Sequence, residues 1–219
     1  TQEVKVVGDL MDGALSYVAG VFYFHEKSTT DFADTLTGAT GAVTLLADRV
    51  VRNKTEATAA YAQLDWSFAD RWKATFGARY TNEQRRTDFS DNRAICQTAP
   101  LPATCIDTRN FASVDVDLNP ATPNIALPLD QDISIWTPRL ALNFQMTPDV
   151  LLFASATRGF KSGQQAARAT VIRSLLPVGP EKVWSYEAGV KSEWFDRRLR
   201  LYATLFRQDT EEFQAGTGF

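Results

Sequence analysis

One histidine, His25, and two cysteines, Cys96 and Cys105, are the whole supply of imidazole and thiol in 219 residues. A structural zinc takes about four nitrogen or sulfur ligands, so these three scattered side chains cannot build such a site, and neither a metal site nor a resident cofactor is expected. A nucleophile with a histidine base has only His25 to use. That residue follows Phe24 at the end of an apolar run, which reads as a boundary between apolar and aqueous surroundings. Charge of one sign is not in excess either: 23 basic against 26 acidic residues leave a formal net charge of −3, with no basic surplus for nucleic acid. Long hydrophobic runs are missing as well. A membrane-crossing helix needs roughly 18 consecutive apolar residues, and the longest run, Tyr17 to Phe24, has eight. Helical spans are therefore excluded. No basic segment leads into an apolar core at the start of the chain, so no signal peptide is expected in it, and the opening at Thr1 reads as that of a mature or internal piece.

What is present is a period of two. Trp72, Ala74, Phe76, Ala78 and Tyr80 alternate with Lys73, Thr75, Gly77, Arg79 and Thr81, which gives a strand with one apolar and one polar face. The code recurs at Trp136, Pro138, Leu140, Leu142 and Phe144, at Trp184, Tyr186, Ala188 and Val190, and at Leu199, Leu201, Ala203 and Leu205. Helix propensity alone would make the Ala-rich stretch from Glu56 to Ala62 helical. It is read as strand because Ala60, Ala62, Leu64, Trp66 and Phe68 continue in period two. The face set expected to meet lipid is Trp72, Phe76, Tyr80, Leu140, Leu142, Phe144, Trp184, Tyr186 and Val190. Opposite them, Lys73, Arg79, Arg139, Glu187 and Lys191 are expected to face a lumen.

Spacing turns strands into an architecture. Short connections at Ala69 to Arg71, Thr147 to Asp149 and Phe195 to Arg197 alternate with long ones, about Lys27 to Asn53, Thr87 to Asp130 and Phe160 to Pro180. Tight turns at one end and long loops at the other are the layout of an outer-membrane β-barrel. Trp66, Phe68, Trp72, Trp194 and Phe195 flank the short turns, where a girdle of aromatic rings would lie at the headgroups. A soluble sandwich also has period two, but loops of 27, 44 and 21 residues are long for one. The stretch Gln164 to Leu176 has the spacing of a short helix within its loop. Cys96 and Cys105 leave two readings: a loop disulfide made in an oxidising compartment, contributing roughly 2 to 3 kcal/mol by chain entropy, or two free thiols.

Specific strings then carry a family resemblance. The runs Trp136 to Phe144, Thr147-Pro148-Asp149 and Leu152 to Gly163 resemble the barrel of a TonB-dependent outer-membrane receptor, as do Pro180 to Ser192 and Phe195 to Leu201. Thr1 to Val4, Ala19 to Phe24 and Phe76 to Glu83 are similar to earlier strands of that barrel. The resemblance implies an all-β fold: a segment of about eight antiparallel transmembrane strands, residues 1–219, from a barrel of about 22 strands. The N-terminal plug and the last strands of such receptors have no counterpart among the recognised strings. The implied function is active transport of a scarce solute, a ferric siderophore or similar iron complex. Its implied partners are outer-membrane lipid and the TonB complex, reached through the plug, in the outer membrane of a Gram-negative bacterium.

The alternatives are a diffusion porin or adhesin with an open lumen, and a barrel lipase or protease, for which only His25 is at hand; no enzyme is expected. Glu83, Arg85 and Lys161, on the polar register near the long loops, are candidates for ligand contact or for packing against plug and loops. The same choice stands for the lumen charges. Gly77 and Gly189 fall on the polar register, where a missing side chain admits a bulky neighbour or eases strand curvature.

Overall fold

The computed structural model describes residues 1–91, 129–165 and 176–215. Eight strands form one antiparallel sheet in chain order: β1 (Gln2–Leu10), β2 (Leu15–Thr37), β3 (Val43–Ala69), β4 (Trp72–Asp91), β5 (Gln131–Thr147), β6 (Val150–Lys161), β7 (Glu181–Trp194) and β8 (Leu199–Glu211). Among the described residues β1 pairs only with β2, and β8 only with β7. Cys96, Cys105 and most of the stretch expected to be helical lie outside the described residues.

Directly opposed residues of an antiparallel pair point to the same face, so the register sorts every side chain. Trp72 opposes Phe144, Phe76 opposes Leu140 and Tyr80 opposes Trp136. Leu140 in turn opposes Ala156, which opposes Tyr186. These share one face with Val190, the partner of Leu152. The other face holds Lys73 opposite Asn143, Arg79 opposite Thr137, Arg139 opposite Gly77, Glu187 opposite Ser155 and Lys191 opposite Leu151. The apolar and polar sets are thus cleanly separated, in the register that the alternation specifies.

The hairpin ends are staggered. One hydrogen-bonded row runs through Leu10, Leu15, Trp66, Ala74, Leu142, Ala154, Ala188 and Leu205. It meets the closing pair of the first hairpin, Leu10 and Leu15. The next three hairpins close two, four and six residues beyond it, at Trp72, Val150 and Leu199. A constant slip of this kind is what a sheet needs to curl into a tilted barrel.

Two expectations are corrected. The stretch from Lys27 to Asn53 is not a loop: β2 and β3 run on as a paired ladder to Thr37 and Val43, closed by a tight connection in which Gly38 N–H donates to the Ala42 carbonyl at 2.8 Å and Gly41 takes φ +78°. Both faces of this extension carry polar residues, so it has strand geometry without the alternation that marks a strand beside lipid. β4 likewise runs to Asp91, past the expected end at Thr87. A turn that the spacing does not anticipate joins β1 to β2, with Met11, Asp12 and Gly13 at φ 54°, 53° and 86°.

Buried positions concentrate on the polar register toward the long-connection end: Val51, Ala57, Ala59, Ile133 and Ile135, with Thr81, Glu83 and Arg49, which is 1% exposed. The apolar register is mostly open, with Phe76, Trp136 and Leu140 about half exposed. An inverted pattern of this kind fits a sheet whose hydrophobic side has a solvent other than water.

Candidate functional site

Mid-strand, the polar face is organised around Arg79. Its guanidinium lies 5.0 Å from the centroid of the Phe22 ring and 5.9 Å from that of Tyr61, and its Nε donates to Thr81 Oγ1 at 3.1 Å. Tyr61 Oη donates to Glu3 Oε1 at 2.6 Å, which ties β3 to β1 across β2. That reach is possible because Gly20 lies between them: a Cβ there would meet the Tyr61 hydroxyl at 2.6 Å. Gly189 serves in the same way under Phe153, whose Cζ would stand 2.7 Å from an added Cβ, while Lys191 Nζ sits 5.4 Å from the Phe153 centroid. Gly77 has only ordinary neighbours, Gln63 Oε1 at 3.5 Å and Arg139 Cβ at 3.6 Å, so no bulky group crosses it. A depression of about 410 Å³ lies beside this cluster, lined by Glu3, Tyr61, Gln63, Arg79 and Arg139. Toward the turns Asp65 accepts from Thr75 Oγ1 at 2.5 Å and from Gln63 Nε2 at 3.2 Å.

At the long-connection end the sheet parts. Pairing of β5 with β6 stops at Arg139 and Thr157, above which β5 continues with β4 and β6 with β7. Residues 163–165 and Val178 strap the opening. Arg85 Nη1 donates to the Gly163 carbonyl at 2.6 Å, Gln131 Nε2 to the Val178 carbonyl at 2.8 Å and Gln165 Nε2 to the Leu129 carbonyl at 2.6 Å. The strap is closed on itself by Val178 N–H on the Gln164 carbonyl at 2.9 Å. Arg85 Nε also meets Glu83 Oε1 at 2.6 Å. A polar cleft of about 290 Å³ opens here, lined by Asn53, Arg85, Thr87, Gln131, Gly163 and Gln165 among others.

These contacts sort the expected site residues. Glu83 and Arg85 are joined, and Arg85 is committed to the strap. Lys161 opposes Glu181 on the polar register, is exposed, and takes no part in the cleft. Sequence reasoning missed Gln131, Gly163, Gln165, Tyr61 and Glu3, since their roles depend on register and loop path. His25 stands one register step above Tyr23 on the apolar-face side and meets Glu56 Oε1 at 3.2 Å. Glu56 is also 3.1 Å from Lys54, and that contact holds its carboxyl below the ordinary carboxylate range. Hydrogen bonding to Asp130, at 2.6 Å, likewise raises Arg86 above its usual value. No group of three or more His, Cys, Asp or Glu able to hold a metal ion occurs among the described residues.

The family model for the TonB dependent receptor-like β-barrel matches residues 3–218. The chain belongs to that family. Solved relatives agree in fold: the ferric yersiniabactin uptake receptor FyuA of Yersinia pestis, at TM-score 0.69 and 18% identity, is matched over 97% of this chain and 28% of its own. The ferric-catecholate import receptor Fiu of E. coli K12, in its open form, gives 0.60 at 16% identity over 96% and 30%. The copper transporter OprC gives 0.56 at 13% identity over 94% and 28%. The chain therefore spans under a third of the length of these proteins. In a TonB-dependent receptor barrel the apolar register is the side turned to lipid. Along β4 that register is apolar from Trp72 to Tyr80 and turns polar at Asn82 and Gln84. His25, Glu56 and Lys54 lie beyond the same boundary on β2 and β3.

Proposed function

We propose that residues 1–219 form a contiguous part of the wall of an outer-membrane receptor that imports a scarce solute, a ferric siderophore or similar iron complex, with energy delivered through TonB. The observation that carries this reading is the family match over residues 3–218. Two of the solved relatives are named as receptors for ferric complexes, and a third as a copper transporter, which supports a chelated metal as the solute class. Uptake of this kind makes and breaks no bond in the solute, so the protein is not an enzyme. Unpaired edge groups of β1 and β8 would each cost several kcal/mol in hydrocarbon, so neighbouring strands complete the ring.

In this reading Lys73, Arg79, Arg139, Glu187 and Lys191 line the lumen, where they meet a plug. Arg85 and Glu83 set the strap at the mouth, and Lys161 is left to contact an anionic chelate. The test is uptake of radiolabelled ferric siderophores by cells carrying the full-length receptor, with and without a functional TonB. Energy-dependent uptake that stops without TonB supports the proposal. Uptake indifferent to TonB points instead to a diffusion porin.

A further inference from the structure

The stagger of two residues per hairpin lets positions of equal height be followed around the sheet. Tyr80 on β4 shares its hydrogen-bonded row with Ala60 and Val21 on one side and with Trp136 on the other. Correcting for the slip of one residue per strand, the level of Tyr80 passes through Tyr23 on β2, Arg158 on β6 and Arg207 on β8. All four lie on the apolar register. Tyr23 and Tyr80 suit the boundary between hydrocarbon and headgroups. Two arginines in the same ring need another explanation.

Arg158 follows Leu152, Ala154 and Ala156 along the lipid side of β6 and opposes Trp184. Its Nε is shut off from solvent and has no hydrogen-bond partner. No ion pair to it is found among the described residues. Arg207 opposes Tyr186 one step below. It touches Asp209 through Nε at 3.0 Å, an exposed contact that leaves its terminal N–H groups available. Between the two arginines Trp184 and Tyr186 stack at 5.9 Å with an interplanar angle of 11°, a flat apolar floor. A guanidinium stranded at the edge of hydrocarbon is costly unless an anion meets it, and its fork geometry matches phosphate.

We propose that Arg158 and Arg207, flanking the Trp184–Tyr186 stack, bind the phosphate of a lipid headgroup in the leaflet at the long-connection end. The proposal rests on the lipid-facing reading of the apolar register, and on nothing about the transported solute. Acyl chains would descend over Ala156, Ala188 and Leu205, which continue the register below. Asp209 limits the anionic charge the site tolerates and helps orient Arg207.

The test uses the purified full-length receptor in neutral detergent, with native mass spectrometry to count retained lipid. Three probes are compared: lipid A, phosphatidylglycerol and inorganic phosphate. Lipid A retention is expected to fall at least fivefold in Arg158→Gln and in Arg207→Gln, while Lys54→Gln, on the same register of β3 but above the Tyr80 level, stays as the parent. Equal retention in the parent and both arginine variants overturns the proposal. Binding of inorganic phosphate as tight as that of either lipid overturns the lipid as source, while tighter retention of lipid A or phosphatidylglycerol than of inorganic phosphate, lost in both arginine variants, supports it. Should a variant misfold, dephosphorylated lipid A on the parent protein asks the same question: retention unchanged by loss of phosphate sinks the idea. Quenching of Trp72 and Trp136 by brominated lipid reports separately whether the register faces lipid at all.

Discussion

Trp72 stacks on Phe144 with ring centroids 4.3 Å apart, closing the lipid-side register at its turn end. Eight residues along the same two strands, Tyr80 meets Trp136 at 5.0 Å and closes it at the other end. Between these two aromatic pairs stand only Ala74, Phe76, Ala78, Pro138, Leu140 and Leu142. In the proposed receptor wall these pairs would stand at the two membrane interfaces.

A charge placed midway between those pairs should be expelled. Leu140→Arg, opposite Phe76, is expected to destabilise the barrel by about 2 to 4 kcal/mol, while Ser155→Arg on the polar register, opposite Glu187, costs under about 1 kcal/mol. Urea unfolding of the full-length receptor in lipid vesicles, followed by tryptophan fluorescence, measures both. Equal losses would mean that the two faces have been assigned the wrong way round.

Gly189 and Gly77 share a register yet should respond differently to the same change. An added methyl at Gly189 strikes the Ala203 carbonyl and the Phe153 ring, whereas at Gly77 it meets ordinary contact distances. Gly189→Ala is expected to cost about 1 to 3 kcal/mol, the range for overpacking, and Gly77→Ala to be near neutral. Heat-modifiable migration on gels separates the two cases.

Removing Arg85 should loosen the mouth rather than erase a ligand contact alone. Its loss leaves the buried carboxylate of Glu83 and the Gly163 carbonyl unpaired, a cost of about 1 to 3 kcal/mol. Arg85→Ala is therefore expected to raise protease cleavage at residues 162–165 and 176–180 as well as to weaken uptake. Lys161→Ala is expected to weaken binding of an anionic ferric chelate while cleavage stays unchanged. Wild-type affinity in Lys161→Ala, with the barrel assembled, would remove that residue from the binding surface.

Cys96 and Cys105 are expected to be bonded in protein assembled in the outer membrane. Iodoacetamide should add mass only after reduction. Labelling of both thiols without reductant would leave the second reading, two free thiols.

The faces of β4, β5, β7 and β8 were legible because their residues alternate strictly, as Trp72 to Tyr80 display, whereas β6, with Leu151 and Phe153 on the polar register, has little contrast between its faces. Once β2 and β3 pass Tyr23 and Thr58 such alternation ends, and polar residues on both sides made a paired ladder read as a loop. The candidate site was legible only as residue types at one end of the strands. Arg85 stands out in the sequence by its charge, but its bonds go to Glu83 and to Gly163, a partner 78 positions away. Tyr61 and Gly20 escaped notice for the same reason, since neither carries a signal until the register sets one over the other.

The stagger of the hairpins also fixes how far the strands lean. One residue of climb, roughly 3.3 Å, for each strand spacing of roughly 4.8 Å gives an inclination of about 35° whatever the number of strands in the ring. At that lean the eight steps from Trp72 to Tyr80 rise roughly 22 Å along the barrel axis, close to the roughly 25 Å band that hydrocarbon requires. The same arithmetic applied from Tyr23 to Thr37 gives an overhang of roughly 40 Å. In the proposed receptor wall the β2–β3 hairpin is thus a mast standing well clear of the headgroups, with its tip at residues 38–42 presented to whatever approaches from the long-connection side.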